Sequence, residues 1–198
     1  MIKLERPACP NPSALKTNYK HPDNKNALRS SSHDKCMYCE SKISHIDYAH
    51  VEHYKPKSVF TQLEFEWNNL GYACPKCNVN KGNSFNINVP YLEPYSENPS
   101  GHIVFAGSFI FHKNGSERGE LTIKDIELNR PELLERRFEK INVIQKAITV
   151  CHRTIDEGLR TDAIGELMKE ANPDKEYSLC VKTFLRVAQD NSVKAKAS

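Results

Sequence analysis

Two Cys-x-x-Cys pairs, Cys36–Cys39 and Cys74–Cys77, stand 34 residues apart and constrain this chain more than any other feature. Each pair is a turn that can present two sulfurs to one ion, and four thiolates around one centre suit a tetrahedral zinc. A closed four-sulfur site leaves no open coordination position, so the zinc it predicts is structural. The stretch between the pairs is longer than a minimal zinc ribbon needs and leaves room for inserted secondary structure. An apolar content of 38% is lean for a chain of 198 residues. A metal staple or a partner protein is then expected to supply part of the stability.

The N-terminal residues lack the long apolar stretch of a signal peptide, and no apolar run approaches membrane-spanning length. A soluble, cytoplasmic chain with no membrane association is expected. In a reducing compartment, paired cysteines favour zinc over disulfides. Cys9, Cys151 and Cys180 are left as free thiols.

The pattern predicts an α+β fold in three regions. Residues 1–35 are rich in Pro, Asn, Ser and Lys and read as an irregular, surface-hugging arm with a short helix near 25–30. Residues 36–100 form the zinc-stapled core. In it a strand over 48–54 is ended by Pro56, Trp67–Ala73 carries a second strand or turn, and a short helix runs from Pro75 to Lys81 before Gly82. Residues 101–198 hold a hairpin over Ile103–Phe111, turning at Gly107-Ser108, and a helical extension that suits partner docking. There Asn129-Arg130-Pro131-Glu132 opens a long helix whose apolar stripe passes through Leu134, Phe138, Ile141, Ile144, Ile148 and Ile155. Helices over 161–171 and 174–189 follow, and the tail 191–198 is expected to fray.

The chemistry-bearing residues lie between and just after the cysteines. Glu52 and His53 are an adjacent acid and base, and Pro56 lets the strand end near enough for both to face one site. Glu52 can give a hard cation such as Mg²⁺ or Mn²⁺ its carboxylate. A histidine near neutral pKa can take a proton from water. Asn69 can steady a backbone loop with its two-way amide, and Asn78, directly after Cys77, can offer an oxygen to the same cation. Lys55, Lys57 and Lys81 are candidate phosphate contacts. Trp67 reads as core, His50 as packing or support for the site, and His112 and His152 carry no assigned role.

The run from Cys36 to Asn83 resembles the ββα-metal core of HNH endonucleases in the branch with paired zinc knuckles. The resemblance implies a metal-dependent endonuclease that hydrolyses phosphodiester bonds. In it His53 is the general base, Glu52 and Asn78 the catalytic-metal ligands, and Asn69 the asparagine that steadies the loop carrying the base. Glu52 stands where the family often has Asp or His. The opening Ile-Lys-Leu-Glu-Arg-Pro, the Glu-His-Tyr-Lys-Pro-Lys-Ser string and the later Leu-Asn-Arg-Pro-Glu-Leu-Leu together are similar to the HNH subunits (PtuB) of Septu anti-phage systems, also found beside some retrons. That likeness implies an ATPase partner of the PtuA type and nuclease action in phage defence.

A net charge of +3 and a pI near 8.4 are compatible with nucleic acid but fall short of the basic footprint of an autonomous DNA-binding domain. Assisted binding is expected, with DNA favoured as target and RNA, including tRNA, left open. Two rival readings are a zinc-knuckle nucleic-acid-binding module and an adaptor subunit with little intrinsic nuclease activity.

Overall fold

The structure, a computed structural model, describes residues 1–43 and 48–197, the last helix beyond residue 188 by its backbone alone. Two short helices open the chain, α1 (Pro12–Leu15) and α2 (Pro22–Ser31). Most of this N-terminal segment lies at the surface, anchored by a few side chains that reach inward. Met1, Leu4, Leu15 and Leu28 join the hydrophobic core, and Asn24 of α2 is fully buried, its amide bridging to the Asn11 backbone.

Two strands then pair antiparallel, β1 (His50–His53) with β2 (Leu70–Ala73), in the register His50↔Ala73, Val51↔Tyr72, Glu52↔Gly71 and His53↔Leu70. Gly71 is dictated by space: a Cβ there would lie 2.2 Å from Met37 Sδ, because the first cysteine turn packs directly on β2. The Met37 amide donates to the Tyr72 carbonyl at 2.9 Å and locks that contact. One residue later α3 (Pro75–Lys81) begins. Cys74 caps it with its own sulfur, Pro75 occupies the first turn, and Gly82, at φ +53°, ends it in the left-handed region. This β1–β2–α3 unit is the predicted one, with a 3₁₀ turn over Trp67–Asn69 leading into β2.

A second antiparallel pair, β3 (Ile103–Ala106) and β4 (Phe109–His112), turns at Gly107 as predicted. Four helices follow: α4 (Glu117–Asp125), α5 (Pro131–Arg153), α6 (Glu157–Met168) and α7 (Ser178–Ala197). The sequence pattern does not separate α4 as an element, although Ser116 caps it by accepting from the Gly119 amide at 3.1 Å. The tail expected to fray is helical to Ala197, and Ser198 lies outside the described residues.

The stripe on α5 follows its predicted line at Ile141, Ile144 and Ile148 and departs from it at the helix start and at Ile155. Its buried positions are Leu133, Arg137, Ile141, Ile144 and Cys151, while Phe138 is 58% exposed and Ile155, beyond the helix end, 96%. At the helix start the cause is Arg137, a cation at a core position. Its guanidinium donates to the Leu128 carbonyl at 2.8 Å and lies 5.1 Å from the Phe105 ring centre. A hydrophobicity count skips such a residue. One apolar cluster runs from Met1 through the cysteine turns, Leu70, Ile103 and Leu133 to Cys180, with a smaller one of Ile144, Val181 and Leu185 beside it. Trp67 packs at its margin, its indole N–H donating to the Pro7 carbonyl at 2.8 Å.

Candidate active site and zinc centre

The β1–β2 pair and α3 bring the two cysteine turns together. The sulfurs of Cys36, Cys39, Cys74 and Cys77 all lie within 4.8 Å of one another, and Cys36, Cys39 and Cys77 are buried. Burial pushes the Cys36 thiol well above its usual range, while hydrogen bonding to Cys36, Cys74 and Cys77 holds Cys39 well below. Such crowded sulfurs do not all ionise without a cation among them, and a soft dication with four thiolate ligands fits this set.

Beside α3, His50, Glu52 and His53 of β1 meet Asn78 and Lys81 in one cleft of about 430 Å³. His50 and Glu52 share a strand face by alternation, and His53 joins them because β1 ends there. His53 is 8% exposed. Its Nε2 lies 2.9 Å from the Glu64 carbonyl, which can only accept, so Nε2 carries the proton and Nδ1 is the basic nitrogen. Tyr19 packs edge-on against the ring, centroids 4.6 Å apart. Burial holds the His53 pKa below its ordinary value, with the cations of Lys57 and Lys81 adding to this and the Glu64 carbonyl opposing it.

Asn69 brackets the loop beyond His53. Its Oδ1 accepts from the Lys55 amide at 2.8 Å, and its Nδ2 donates to the carbonyls of Lys55 and Leu63 at 2.9 and 3.1 Å. Asn78 Nδ2 lies 2.7 Å from His50 Nδ1, which leaves Asn78 Oδ1 facing no protein donor among the described residues. His50 is therefore a direct partner of Asn78.

Glu52 is 2% exposed, and one of its oxygens meets Lys81 Nζ at 2.7 Å and the Tyr38 hydroxyl at 3.4 Å. Burial pushes its pKa up, against the pull of Lys81. Lys81 corrects the sequence reading. It is 1% exposed, and its ammonium bridges Glu52 and the His53 carbonyl at 3.0 Å, so it is an internal strut rather than a surface contact for phosphate. Lys57 does line the cleft, paired with Glu64 at 2.6 Å and lying over Tyr19. Lys55 does not; its ammonium lies 5.9 Å from the Phe60 ring centre. Three lining residues escape the sequence reading, Tyr19, Lys20 and Lys25, all from the N-terminal segment. No local motif marks them, because only tertiary packing brings them to β1.

The cleft offers a hard cation a carboxylate and an amide oxygen. Among the described residues no further cluster of three His, Cys, Asp or Glu ligands exists beside the cysteines.

Residues 36–84 match the family model of HNH endonuclease. The chain is also similar to two curated relatives, each a Septu protein PtuB. That of Bacillus mycoides (strain KBAB4) is 32% identical over 174 residues, 72% of this chain. That of Bacillus thuringiensis is 28% identical over 176 residues, 80% of this chain. The chain spans 58% and 66% of the length of these relatives. No helix among the described residues is long and apolar enough to cross a membrane. The chain thus carries an HNH endonuclease domain over residues 36–84, set in a sequence related to Septu PtuB proteins along most of its length.

Proposed function

We propose that this chain hydrolyses nucleic-acid phosphodiester bonds with His53 as general base and a divalent cation, Mg²⁺ or Mn²⁺, held by Glu52 and Asn78. The observation that carries this reading is the tie between His53 Nε2 and the Glu64 carbonyl, in the same cleft as Glu52 and Asn78. It fixes the tautomer that exposes Nδ1 for proton transfer and holds the ring in place. Nδ1 takes the proton of the attacking water. Asn69 keeps the 55–69 loop closed so that the base does not drift. When bound, the cation supplies charge stabilisation to the phosphoryl oxygens and the departing 3′ oxygen. Glu52, shared with Lys81, and Asn78, oriented by His50, are the side chains placed to hold it. Lys20, Lys25 and Lys57 line the cleft and receive the phosphates on either side of the scissile bond, with Lys55 beside them. Zinc held by Cys36, Cys39, Cys74 and Cys77 would fasten α3, and with it Asn78, against β1.

The relatives' Septu name supports a role in anti-phage defence, with an ATPase of the PtuA type as partner and DNA as the favoured target. A chain of net charge +3 gains from a partner that adds grip on the polyanion.

The test is cleavage of plasmid DNA and of total tRNA by the full chain and by His53→Ala, with Mg²⁺ or EDTA, each with and without the ATPase. Cutting that needs the cation and vanishes in the variant is expected, and the preferred substrate decides between DNA and RNA. Cation-dependent cutting that survives His53→Ala would sink the assignment of the base.

A further inference from the structure

The turn Ile126–Pro131 joins α4 to α5, and the site described above makes no use of it. It is nonetheless fastened at both ends. Ile126 and Leu128 are fully buried, and Glu127 holds a left-handed φ of +52°, a conformation a bulky residue keeps only where its surroundings enforce it. Asn129 grips β4 with both halves of its amide, accepting from the Ile110 N–H at 2.9 Å and donating to its carbonyl at 2.8 Å. On the other side Asn80 of α3 donates to the Ile126 carbonyl at 3.2 Å and to Glu127 Oε2 at 2.9 Å. Between these anchors Arg130 points both terminal nitrogens at one atom, Cys77 Sγ, at 3.5 and 3.6 Å, while also donating to the Glu127 carbonyl. Arg130 is also the residue from which α5 starts.

A zinc ion with four thiolates carries a net charge of −2, concentrated on the sulfurs. A planar guanidinium that donates twice to one sulfur disperses that charge and fixes the sulfur's direction, which a point-charge ammonium on a flexible stem does poorly. Lys42, Lys76 and Arg136 share the cleft beside Cys74, but they are exposed and no bond joins them to the cysteines.

We propose that Arg130 is a positioning residue of the zinc centre, through which the metal holds the C-terminal half against α3. This inference rests on reading the four-cysteine cluster as a zinc site. In it the metal stabilises more than its own turns: it gives Arg130 a charged partner, Arg130 seats the 126–131 turn, and that turn sets the start of α5. The same contact steadies α3, which carries Asn78 and Lys81 into the catalytic cleft.

The test is zinc affinity by competition with a chromophoric chelator. It is read on the full-length wild type, Arg130→Gln, Arg130→Lys and, as a control that loosens the turn without touching sulfur, Asn80→Ala. Limited proteolysis of the 131–188 region gives a second readout. The expected result is one zinc per wild-type chain, about 10–100-fold weaker binding in Arg130→Gln, in the range seen when a partner of a metal ligand is lost, and a smaller loss in Arg130→Lys. Asn80→Ala is expected to keep wild-type affinity, and zinc removal is expected to speed proteolysis after residue 131. Wild-type affinity in Arg130→Gln overturns the inference, as does a loss in Asn80→Ala equal to that in Arg130→Gln, since Arg130 then acts only by packing. If Arg130→Gln does not fold, unchanged affinity in Arg130→Lys overturns the fork on Cys77. A wild-type chain that binds no zinc overturns the zinc reading itself, a separate result from wild-type zinc binding with no dependence on Arg130.

Discussion

The molecule contains two units with the same outline, a pair of four-residue antiparallel strands followed by a helix, and only one of them carries chemistry. In β3–β4–α4 the strands alternate. Ile103, Phe105 and Ile110 face the core, Phe109 and Phe111 face outward about half exposed, and a tight turn at Gly107 joins them. In β1 and β2 every position except His50 is buried, and with Lys81 of α3 and Asn69 of the turn before β2 the buried polar set comprises Glu52, His53, Asn69 and Lys81. A hairpin that alternates is stabilised by its apolar face alone. A unit that buries ions and amides needs each one paired, because an unpaired buried charge costs several kcal/mol. The first unit therefore depends on Lys81, on Asn69 and on whatever its cysteine cluster holds, while the second is linked to that cluster at one remove, through the 126–131 turn. Function sits where folding is chemically demanding.

The largest way to break this contrast is to strip the cysteine cluster of the zinc proposed for it. Structural zinc supplies about 10–16 kcal/mol of apparent folding free energy in small zinc domains. Chelation, or Cys39→Ser with Cys74→Ser, is expected to abolish amide-exchange protection across β1, β2 and α3. The loss at 103–112 should be smaller, and equal losses in both units would show that they fold as one.

Next in size is His53→Ala, for which cleavage is expected to fall by about 10²–10⁴-fold, the usual worth of a general base. Its pH profile sharpens the assignment. Burial lowers the His53 pKa below 6.5, and the base works only when neutral. Cleavage should therefore persist as the pH falls to 6.5 and fade only below it, through the lowered pKa. Stability runs the same way: the unfolded chain takes up the proton first, so His53 weakens the fold as the pH drops from 6.5 to that lower value. An acid limb centred above 6.5 would assign the titration to another group.

Lys81→Met comes third, and it probes folding rather than cutting. It leaves Glu52 buried without its cation, and removal of one partner of such a pair costs about 3–5 kcal/mol. Thermal melts should show most of this recovered in Lys81→Met combined with Glu52→Gln. If Lys81 instead served phosphate at the surface, the single variant would melt like the wild type.

The first unit was the more legible of the two in the sequence, for the reason that makes it demanding. Chemistry at fixed spacing, Cys-x-x-Cys, Glu52-His53 and the Asn78 that follows Cys77, leaves a local trace, and the structure collects these residues around one helix. Contacts made across long separations leave none. Tyr19 reaches His53 and Arg130 reaches Cys77 only after folding, and neither pair shares a spacing that a reader of the sequence could test. The burial of Lys81 leaves no local trace either, because a lysine is usually exposed and nothing nearby in the sequence says that the carboxylate of Glu52 waits inside. The start of the α5 stripe differs for a related reason, with Arg137 buried and Phe138, the expected apolar position, exposed.

The smallest predicted effect belongs to the second unit. Phe111 stands on the outer face of β4, 49% exposed, 6.3 Å from Phe109 ring to ring. Phe111→Thr keeps a β-prone residue in the strand and removes little buried area, so its cost is expected to stay near 0.5 kcal/mol, the scale of ordinary surface substitutions. Tyr72→Thr on β2 makes the matched comparison, since Tyr72 is 4% exposed and packs on the cysteine turns; large-to-small changes of a buried aromatic cost about 3–5 kcal/mol. Denaturant melts of the two variants side by side measure the difference directly. A Phe111→Thr chain as damaged as Tyr72→Thr would mean that the outer face of β4 is covered in the folded protein, and that the second unit is also buried on both sides.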